Sequence, residues 1–306
     1  MRIAVLGAGA MGSLLGGYLS RAGHDVWLVG RRPEHLAAIR EEGLHIATSE
    51  GVLLARPSVA ASAEEVGPSE LVVLATKAYH TAEAAWTARP LLAERTPVLT
   101  LQNGLGNVAI LQQTLGPERI LAGITAHGAR FVAPGRIQHA GKGETFIGEP
   151  AGPVTPRLEE VARVFREAGF KVALTPDVED MIWSKLVINA GINALGALAG
   201  FANGELLAHS GTSRLLEDTV NEGAAVARAA GRRLFYSDPV AEARTVAAAT
   251  AENHSSMLQD FELGRRTEIE AINGALVRWG EELGVPTPVN RVLTLLAKSV
   301  EENYLS

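Results

Sequence analysis

In the first half of the chain, short apolar runs rich in β-branched residues alternate with longer stretches that have helical spacing. Short apolar strands separated by helices of about 10 to 15 residues indicate βαβ units on a parallel sheet that is buried on both faces. The predicted strands are residues 3–6, 26–29, 71–75, 98–101 and 119–126.

The pattern changes near residue 130. Short strand-like runs at 131–132, 136–139 and 145–147 are separated by Pro134-Gly135 and by glycines near 142. Such turn residues predict antiparallel hairpins appended to the parallel sheet. A helix at 156–168 and a strand at 171–174 then complete a first domain, which we place at residues 1–175.

Beyond residue 176 the strand signals end and helical spacing dominates. Asp238 before Pro239 predicts an N-cap, residues 267–270 have the capping-box pattern, and Gly231 and Gly284 stand where helices should end. We therefore predict an all-helical second domain at residues 176–306. Its predicted helices are 178–198, 205–230, 239–261, 268–283 and 288–303.

Composition narrows the class of protein. The chain has 306 residues, with 28 basic and 34 acidic side chains and a formal charge of −6, which does not suit a protein that tracks nucleic-acid phosphates. Cysteine is absent, so disulfides, zinc-thiolate sites and cysteine nucleophiles are excluded. No secretory signal or membrane-spanning run is evident. We expect a cytoplasmic protein without a metal site or a nucleic-acid or membrane partner.

A glycine-rich motif follows the first predicted strand and opens the first predicted helix. In this G-x-G-x-x-G pattern the first glycine permits a tight turn, the second lets the backbone approach a pyrophosphate, and the third allows close helix packing. A plain strand-to-helix turn is the alternative interpretation. The context favours a Rossmann-type, doubly wound parallel sheet whose cofactor contacts are Gly7, Ala8, Gly9, Ala10, Met11 and Gly12.

The end of the second strand indicates which dinucleotide binds. An NAD enzyme carries an acid there for the ribose 2′-hydroxyl, whereas this chain has Gly30-Arg31-Arg32. Guanidinium groups bind a 2′-phosphate bidentately. The sequence therefore predicts NADP (NADPH) as the cofactor, with a solvated arginine loop as the alternative.

Two further polar residues follow predicted strands, at the sheet edge where ligands bind in open α/β folds. Lys77 follows the strand at 71–75 and is one of only five lysines, and Asn103 follows the strand at 98–101. Lys77 could face the cofactor phosphates, and Asn103 the nicotinamide or the substrate. Asn103-Gly104 is also a common turn dipeptide, which is its alternative interpretation.

Polar residues in the second domain recur at helical spacing. Lys185, Asn189 and Asn193 lie on one helix face among apolar neighbours, where burial without partners would be costly. A ligand, a polar network or a wet cleft is therefore expected, and an exposed amphipathic stripe is the alternative. Asn253 and Ser256 are three residues apart and could also share a helix face. Glu268 begins the next predicted helix, where an acid is favourable whatever the function.

Taken together, these motifs resemble the ketopantoate reductase family. They occur in order along nearly the whole chain, and their combination is specific although each one alone is weak. The motifs are G-x-G-x-x-G at 7–12, Thr76-Lys77-Ala78, Asn103-Gly104, Lys185-x3-Asn189-x3-Asn193, Asn203-Gly204-Glu205, Asn253-x2-Ser256-Met257-x-Gln259-Asp260 and Thr267-Glu268-Ile269-Glu270-x2-Asn273-Gly274.

The resemblance implies NADPH-dependent reduction of 2-dehydropantoate to (R)-pantoate in pantothenate and coenzyme A biosynthesis. By matched position it implies that Lys185 is the general acid and a substrate ligand, and that Glu268 contacts the cofactor ribose or Lys185. Asn103 would contact cofactor and substrate. The other implied ligands are Arg31, Lys77 and the backbone of Ala129 for the cofactor, and Asn189, Asn193, Asn203, Asn253 and Ser256 for the substrate.

Three alternatives remain open. An NADP-dependent reductase of another small 2-keto acid would carry the same asparagines, since nothing in them encodes the rest of the substrate. A 3-hydroxyacid dehydrogenase of the 6-phosphogluconate type is disfavoured, because its motif resembles K-x-x-N-N. A non-catalytic NADP-binding redox sensor is disfavoured by the complete set of lysine, asparagines and serine. The sequence leaves open whether the chain forms a homodimer.

Overall fold

The computed structural model describes residues 1–305 and divides them into two compact units. The first unit comprises Met1–Gln102 and Asn107–Val178. The second unit comprises Asn103–Gly106 and the chain from Glu179 onward. Four residues that follow a strand of the first unit therefore belong, by their packing, to the second.

All the strands of the described chain lie in the first unit, and they form two sheets. Most are short, and those of the main sheet carry the apolar runs seen in the sequence. The strands are β1 (Arg2–Leu6), β2 (Asp25–Val29), β3 (Leu44–Thr48), β4 (Gly51–Ala55), β5 (Ser58–Ala60), β6 (Leu71–Leu74), β7 (Val98–Thr100), β8 (Ile120–Thr125), β9 (Gly128–Ala133), β10 (Arg136–Gly141), β11 (Glu144–Gly148) and β12 (Lys171–Leu174).

Helices cover the first unit's main sheet and make up nearly all of the second unit. The first five helices belong to the first unit, and α6 begins at its last residue. The helices are α1 (Ala10–Arg21), α2 (Pro33–Glu42), α3 (Thr81–Thr87), α4 (Asn107–Leu115), α5 (Pro156–Glu167), α6 (Val178–Ala199), α7 (Glu205–Ala208), α8 (Ser210–Ala229), α9 (Pro239–Ala249), α10 (Ser256–Glu262), α11 (Asn273–Leu283) and α12 (Pro288–Leu305).

The main sheet has eight strands in the order β12-β11-β8-β7-β6-β1-β2-β5, and β11 is antiparallel to β8 whereas the other pairs are parallel. Val5 pairs with Leu28 on one side and with Val73 on the other, and all three side chains are fully buried. Strand order reverses on either side of β1, so the ends of β1 and β6 form the switch point at which ligands bind in this class of sheet.

The second sheet differs from the sequence expectation. Strands β9 and β10 do form an antiparallel hairpin across Pro134-Gly135, but they lie in a separate sheet of order β4-β3-β10-β9. The parallel pairing of β10 with β3, in which Ile137 faces Ile46, joins segments some 90 residues apart. The prediction that the hairpins extend the main sheet was therefore wrong for β9 and β10, whereas β11 does join it.

Two helices predicted as continuous are each broken in the second unit. His209 has an extended backbone between α7 and α8. Between α9 and α10, the carbonyls of Ala251 and Asn253 accept from the backbone N–H groups of Gly204 and Asn203, at 3.0 Å each. Because these carbonyls bond to another loop, the helix does not continue through them, and α10 restarts with the Ser255 side chain accepting from Leu258 N–H.

Helix caps follow the sequence at one site and depart from it at another. The Asp238 carboxylate caps α9 by accepting from the N–H groups of Val240 and Ala241, at 3.0 Å each. The capping box expected at residues 267–270 does not form. Instead, the Thr267 N–H donates to Glu301 Oε1 of α12 at 2.7 Å, so a residue distant in sequence replaces the expected local acceptor.

Helix α6 is apolar throughout most of its length. Among residues 1–305 it is the single helix whose length and composition would suffice to cross a membrane, and most of it is buried inside the protein. Its buried residues include Val187, Ala190 and Ala194, which belong to the hydrophobic core of the second unit. The composition of α6 is therefore explained by its place in that core.

Candidate active site

The glycine turn between β1 and α1 has the geometry that the motif requires. Gly7 has a positive φ of 111°, and a Cβ there would lie 2.7 Å from the backbone nitrogen of Thr76. A Cβ on Gly12 would lie 2.0 Å from the carbonyl oxygen of Gly7. A Cβ on Gly9 would meet no atom within 4 Å. Two of the glycines are thus needed by the fold, and the third leaves space over the turn.

The N-terminus of α1 can receive an anion. Gly9 is the N-cap, no side chain caps this end, and the first turn contains no acidic residue. Free N–H groups and the positive end of the helix dipole therefore suit a pyrophosphate. Ala10 and Met11 begin the helix. Ala8 is buried and its N–H donates to Val29 O at 3.1 Å, so its backbone donor serves the turn itself.

Arg31 and Lys77 follow strands at the same edge of the main sheet. Arg31 comes two residues after β2 and is exposed, with Nη1 donating to Glu83 Oε1 at 2.9 Å. Lys77 is half-buried and immediately precedes a short 3₁₀ turn, Ala78–His80. Their roles at the phosphate end of NADP stay predictions.

Ala129 lies in β9, an edge strand of the second sheet, where it pairs with His139 of β10. An edge strand leaves backbone N–H and C=O groups on its outer side without a ladder partner. The backbone of Ala129 could therefore contribute to a ligand site, as the resemblance implies.

The centre of the candidate chemistry in the second unit is a lysine paired with an asparagine. Lys185 of α6 donates from Nζ to Asn103 Oδ1 at 2.8 Å. The segment 103–106 that carries this asparagine is fixed by the Leu105 N–H, which donates to Ala271 O at 2.9 Å. Residues 82 positions apart in sequence thus meet in one hydrogen bond.

The environment of Lys185 changes its ionisation. Burial lowers the pKa of the Lys185 ammonium to about 8, and the carboxylate of Glu268 opposes this shift. Glu268 is itself only 7% exposed. A lysine with this pKa is mostly protonated near pH 7 and yet can release its proton, which is what a general acid requires.

The predicted polar stripe is present on α6. Lys185, Asn189 and Asn193 lie at successive helical turns of one helix, and Asn193 is only 7% exposed whereas Asn189 is half-buried. The backbone of Asn193 is also tied down, because Ser255 Oγ donates to its carbonyl oxygen at 3.3 Å. The alternative of a fully exposed stripe does not hold.

Asn203 has a buried acceptor that lacks a partner. Its Nδ2 donates to Thr250 Oγ1 at 2.8 Å, whereas its Oδ1 is buried and makes no hydrogen bond. An unsatisfied buried oxygen is costly unless a ligand or water pairs with it. The protein encloses this oxygen, so its lack of a partner does not identify a ligand at Asn203.

Asn253 and Ser256 do not share a helix face. Asn253 is exposed in the loop before α10, and Ser256 is the first residue of that helix, half-buried. The expectation was wrong because the helix predicted over 239–261 ends at Ala249, and a new helix starts after its N-cap Ser255. The backbone carbonyl of Asn253 accepts from Asn203 N–H at 3.0 Å.

Sequence reasoning missed two supporting residues. Gln102 donates from Nε2 to Thr76 O at 3.0 Å and to Thr81 Oγ1 at 2.9 Å, which ties the loops after β6 and β7 together in the first unit. Gly104 has a φ of 86°, and a Cβ there would lie 2.5 Å from Ala271 O in the second unit. In the sequence, only their positions on either side of Asn103 marked Gln102 and Gly104.

Within residues 1–305, no cluster of three or more His, Cys, Asp or Glu side chains could hold a metal ion.

Two family models match the chain. "Ketopantoate reductase PanE/ApbA" matches residues 3–152, and its C-terminal counterpart matches residues 177–301. The chain belongs to the ketopantoate reductase family. The resemblance seen in the sequence is thereby confirmed, as is the assignment to the oxidoreductases.

Known relatives and solved structures agree with this membership. The 2-dehydropantoate 2-reductase of Halobacterium salinarum is 41% identical over 305 residues, which cover 99% of this chain and all of that protein. A ketopantoate reductase of the PanE/ApbA family from Ralstonia eutropha JMP134 has a TM-score of 0.92 at 34% identity, with both chains fully covered. The predicted fold class, a Rossmann-type sheet followed by an all-helical part, is confirmed.

One structural neighbour has another substrate. The ternary structure of D-mandelate dehydrogenase with NADH and anilino(oxo)acetate has a TM-score of 0.94 at 28% identity, and both chains are fully covered. The same architecture therefore also occurs in an enzyme with a different 2-hydroxy acid in its name and with NADH bound.

Proposed function

We propose that this protein reduces 2-dehydropantoate to (R)-pantoate with NADPH, as a step of pantothenate and coenzyme A biosynthesis. The observation that carries the proposal is the hydrogen bond from Lys185 Nζ to Asn103 Oδ1, together with the pKa of Lys185, which burial lowers to about 8. The full-length similarity to a protein named 2-dehydropantoate 2-reductase supports the choice of substrate.

NADPH, when bound, supplies the hydride that reduces the ketone. The residues of this chain manage the charge that then develops on the carbonyl oxygen. The Lys185 ammonium has three donors, and one of them is directed to Asn103 Oδ1. A positive group beside the oxygen stabilises the nascent alkoxide and then gives it a proton.

The substrate ligands are proposed from the second unit. Amide groups can donate to a carboxylate and also accept from a hydroxyl, and both groups occur in ketopantoate. The proposed substrate ligands are Asn103, Lys185, Asn189, Asn193, Asn203, Asn253 and Ser256.

The cofactor ligands are proposed chiefly from the first unit. We place the NADP-binding domain at residues 1–175 and the substrate and catalytic domain at 176–306. The open space over Gly9 and the acid-free N-terminus of α1 support a pyrophosphate there. The proposed contacts are Gly7, Ala8, Gly9, Ala10, Met11, Gly12, Arg31, Lys77, Asn103, the backbone of Ala129 and Glu268.

We further propose that the enzyme works in the cytoplasm on a small-molecule 2-keto acid, without a nucleic-acid or membrane partner. Exposed apolar side chains of α12, Val292, Leu295 and Leu296, are compatible with a homodimer. Sedimentation at several protein concentrations distinguishes a monomer from a homodimer.

A second candidate is the reduction of another small 2-keto acid. The observation that favours it is the close structural match to D-mandelate dehydrogenase. None of the polar contacts of the candidate site distinguishes the dimethyl hydroxymethyl group of ketopantoate from another side chain.

The deciding experiment measures NADPH oxidation with ketopantoate and with a panel of 2-keto acids that includes pyruvate, 2-ketoisovalerate and phenylglyoxylate. The proposal expects the highest kcat/KM with ketopantoate and (R)-pantoate as the product. A clearly higher kcat/KM with another acid would establish the second candidate. Binding of NADPH without turnover of any acid would indicate a sensor.

A further inference from the structure

Arg31 takes part in a closed ring of polar contacts within the first unit. Its Nη1 donates to Glu83 Oε1 at 2.9 Å and to Oε2 at 3.2 Å, and its Nη2 lies 3.0 Å from His80 Nε2. His80 Nδ1 lies 2.9 Å from Glu83 Oε2, which closes the ring.

The neighbouring arginine has different surroundings. The guanidinium carbon of Arg32 lies 5.0 Å from the centroid of the Phe131 ring, a distance at which a cation and an aromatic face attract each other. The carboxylate of Glu83 contacts Arg31, the residue proposed above for the 2′-phosphate.

Glu83 supplies from another element the carboxylate that the end of β2 lacks. NAD enzymes of this fold hold the ribose 2′-hydroxyl with an acid at that strand end, where this chain has Gly30-Arg31-Arg32. Glu83 lies in the first turn of α3, and its carboxylate reaches the same guanidinium. A phosphate-binding group and a hydroxyl-binding group thus stand side by side.

We propose that Glu83 sets the cofactor preference by weakening the selectivity of Arg31 for NADPH. The carboxylate competes with the 2′-phosphate for the guanidinium and repels it, whereas it can accept a hydrogen bond from the 2′-hydroxyl of NADH. NADH is then admitted beside NADPH. This inference rests on the proposed function only in taking the ligand to be a nicotinamide dinucleotide.

The exposure of Arg31 and Glu83 determines how large a change in cofactor affinity we expect. Both side chains are largely exposed, at 63% for Arg31 and 56% for Glu83. Exposed ion pairs are weak and screened by water, so we expect the removal of the Glu83 charge to change affinities by about 2- to 5-fold. The 2′-phosphate can displace such a carboxylate from Arg31, which is why NADPH remains the preferred cofactor.

The test uses the full chain and measures binding as well as turnover. Dissociation constants are determined for NADPH and NADH, and for the fragments 2′,5′-ADP and 5′-AMP, with the wild type and Glu83→Gln. Glu83→Gln should bind NADPH and 2′,5′-ADP about 2- to 5-fold more tightly than the wild type, because a neutral amide no longer repels the phosphate. The affinities for NADH and 5′-AMP should stay the same or fall, so the preference ratio rises.

Glu167→Gln is the matched control. Glu167 on α5 is exposed and pairs with Arg163 at 2.6 Å, so this variant also removes one surface charge and one ion pair of the first unit. It should leave the preference ratio unchanged. Glu83→Ala provides a second variant of the same position, and thermal unfolding verifies that each variant is folded.

Two outcomes would overturn the role of Glu83. One is a preference ratio that both Glu83 variants move by less than about twofold, and the other is an equal change in Glu167→Gln. Failure of the proposed function is separate: if no keto acid is reduced but Glu83→Gln still raises the preference for 2′,5′-ADP over 5′-AMP, the role of Glu83 holds and the proposed function does not.

Discussion

The glycine turn of the first unit and the lysine helix of the second are built on different principles. The turn depends on the lack of side chains, because a Cβ at Gly7 or Gly12 would collide with backbone atoms. In the helix, the proposed function depends on side chains that are present. Burial lowers the pKa of Lys185, and Asn193 is itself buried.

Because of this contrast, we expect different kinds of substitution to impair the turn and the helix. No titratable group belongs to residues 7–12, so binding at the turn should respond to added volume and little to pH. The lysine helix has a titratable group whose pKa lies near neutrality, so it should respond to charge and pH. Each prediction below tests one side of this contrast.

The largest effect is expected from Lys185→Ala. Removing the general acid should lower kcat by about 10²- to 10⁴-fold, because the ammonium acts on charge that develops in the transition state. KM should rise by a smaller factor, since Lys185 is also a proposed substrate ligand. Lys185→Arg should also be poor, since a guanidinium hardly releases a proton near neutral pH. Steady-state kinetics with NADPH and ketopantoate measure both variants.

Lys171→Ala is the control for the loss of a lysine, because Lys171 is exposed on β12. It should leave kcat unchanged. A Lys185→Ala variant that folds normally and keeps near-normal kcat would contradict the assignment of the general acid.

The second prediction contrasts two glycines of one turn. Gly12→Ala places a Cβ 2.0 Å from Gly7 O, so we expect it to destabilise the fold by about 1 to 3 kcal/mol and to weaken NADPH binding. Gly9→Ala meets no protein atom and has a φ of −86°, so thermal stability should stay within about 0.5 kcal/mol. Gly9→Ala should nevertheless raise the Kd for NADPH about tenfold or more, because the methyl group occupies the space for the pyrophosphate.

The measurements are thermal unfolding and NADPH titration of both variants. Unchanged NADPH affinity in Gly9→Ala would show that the cofactor does not approach the backbone there. Equal stability losses in both variants would show that a Cβ at Gly9 also collides with protein atoms.

The parts of the fold that the sequence predicts are those with local signals. The end of β1, the run of β2 and the whole of β12 agree with the apolar pattern to within a residue. Strands β3 and β4 pair with each other as an antiparallel hairpin that was not predicted from the sequence, and Val52 in β4 is exposed. The pairing of β3 with β10 joins segments about 90 residues apart, which no local sequence pattern reports.

The candidate site divides in the same way. The stripe on α6 is readable because one helix carries it. The contact between Lys185 and Asn103 joins residues 82 positions apart, and the contact between Arg31 and Glu83 joins residues 52 apart. Neither spacing follows from a local period. The pKa of Lys185 also depends on burial, which no local sequence pattern reports.

A third prediction concerns the substrate side of the lysine helix. Asn193→Ala should raise KM for ketopantoate by about 10- to 100-fold, since a hydrogen bond to a charged group contributes roughly 1.5 to 3 kcal/mol, and kcat should change less. Asn221→Ala on the exposed face of α8 is the control. A fall in kcat without a rise in KM would indicate that Asn193 acts in the chemical step and not in substrate binding.

The smallest effect is a shift in pH dependence. Lys185 must be protonated to act as an acid, so kcat/KM, which reports groups of the free enzyme, should be high below pH 8 and fall above it, given a pKa of about 8. The Glu268 carboxylate favours the protonated amine and so raises that pKa. Glu268→Gln should therefore lower the pKa of Lys185 and move the alkaline limb to lower pH. Glu270→Gln, which removes a carboxylate paired with Arg278 and Lys298 instead, should leave the limb in place. A limb that Glu268→Gln does not move would mean that the ionisation of Lys185 is set by burial alone.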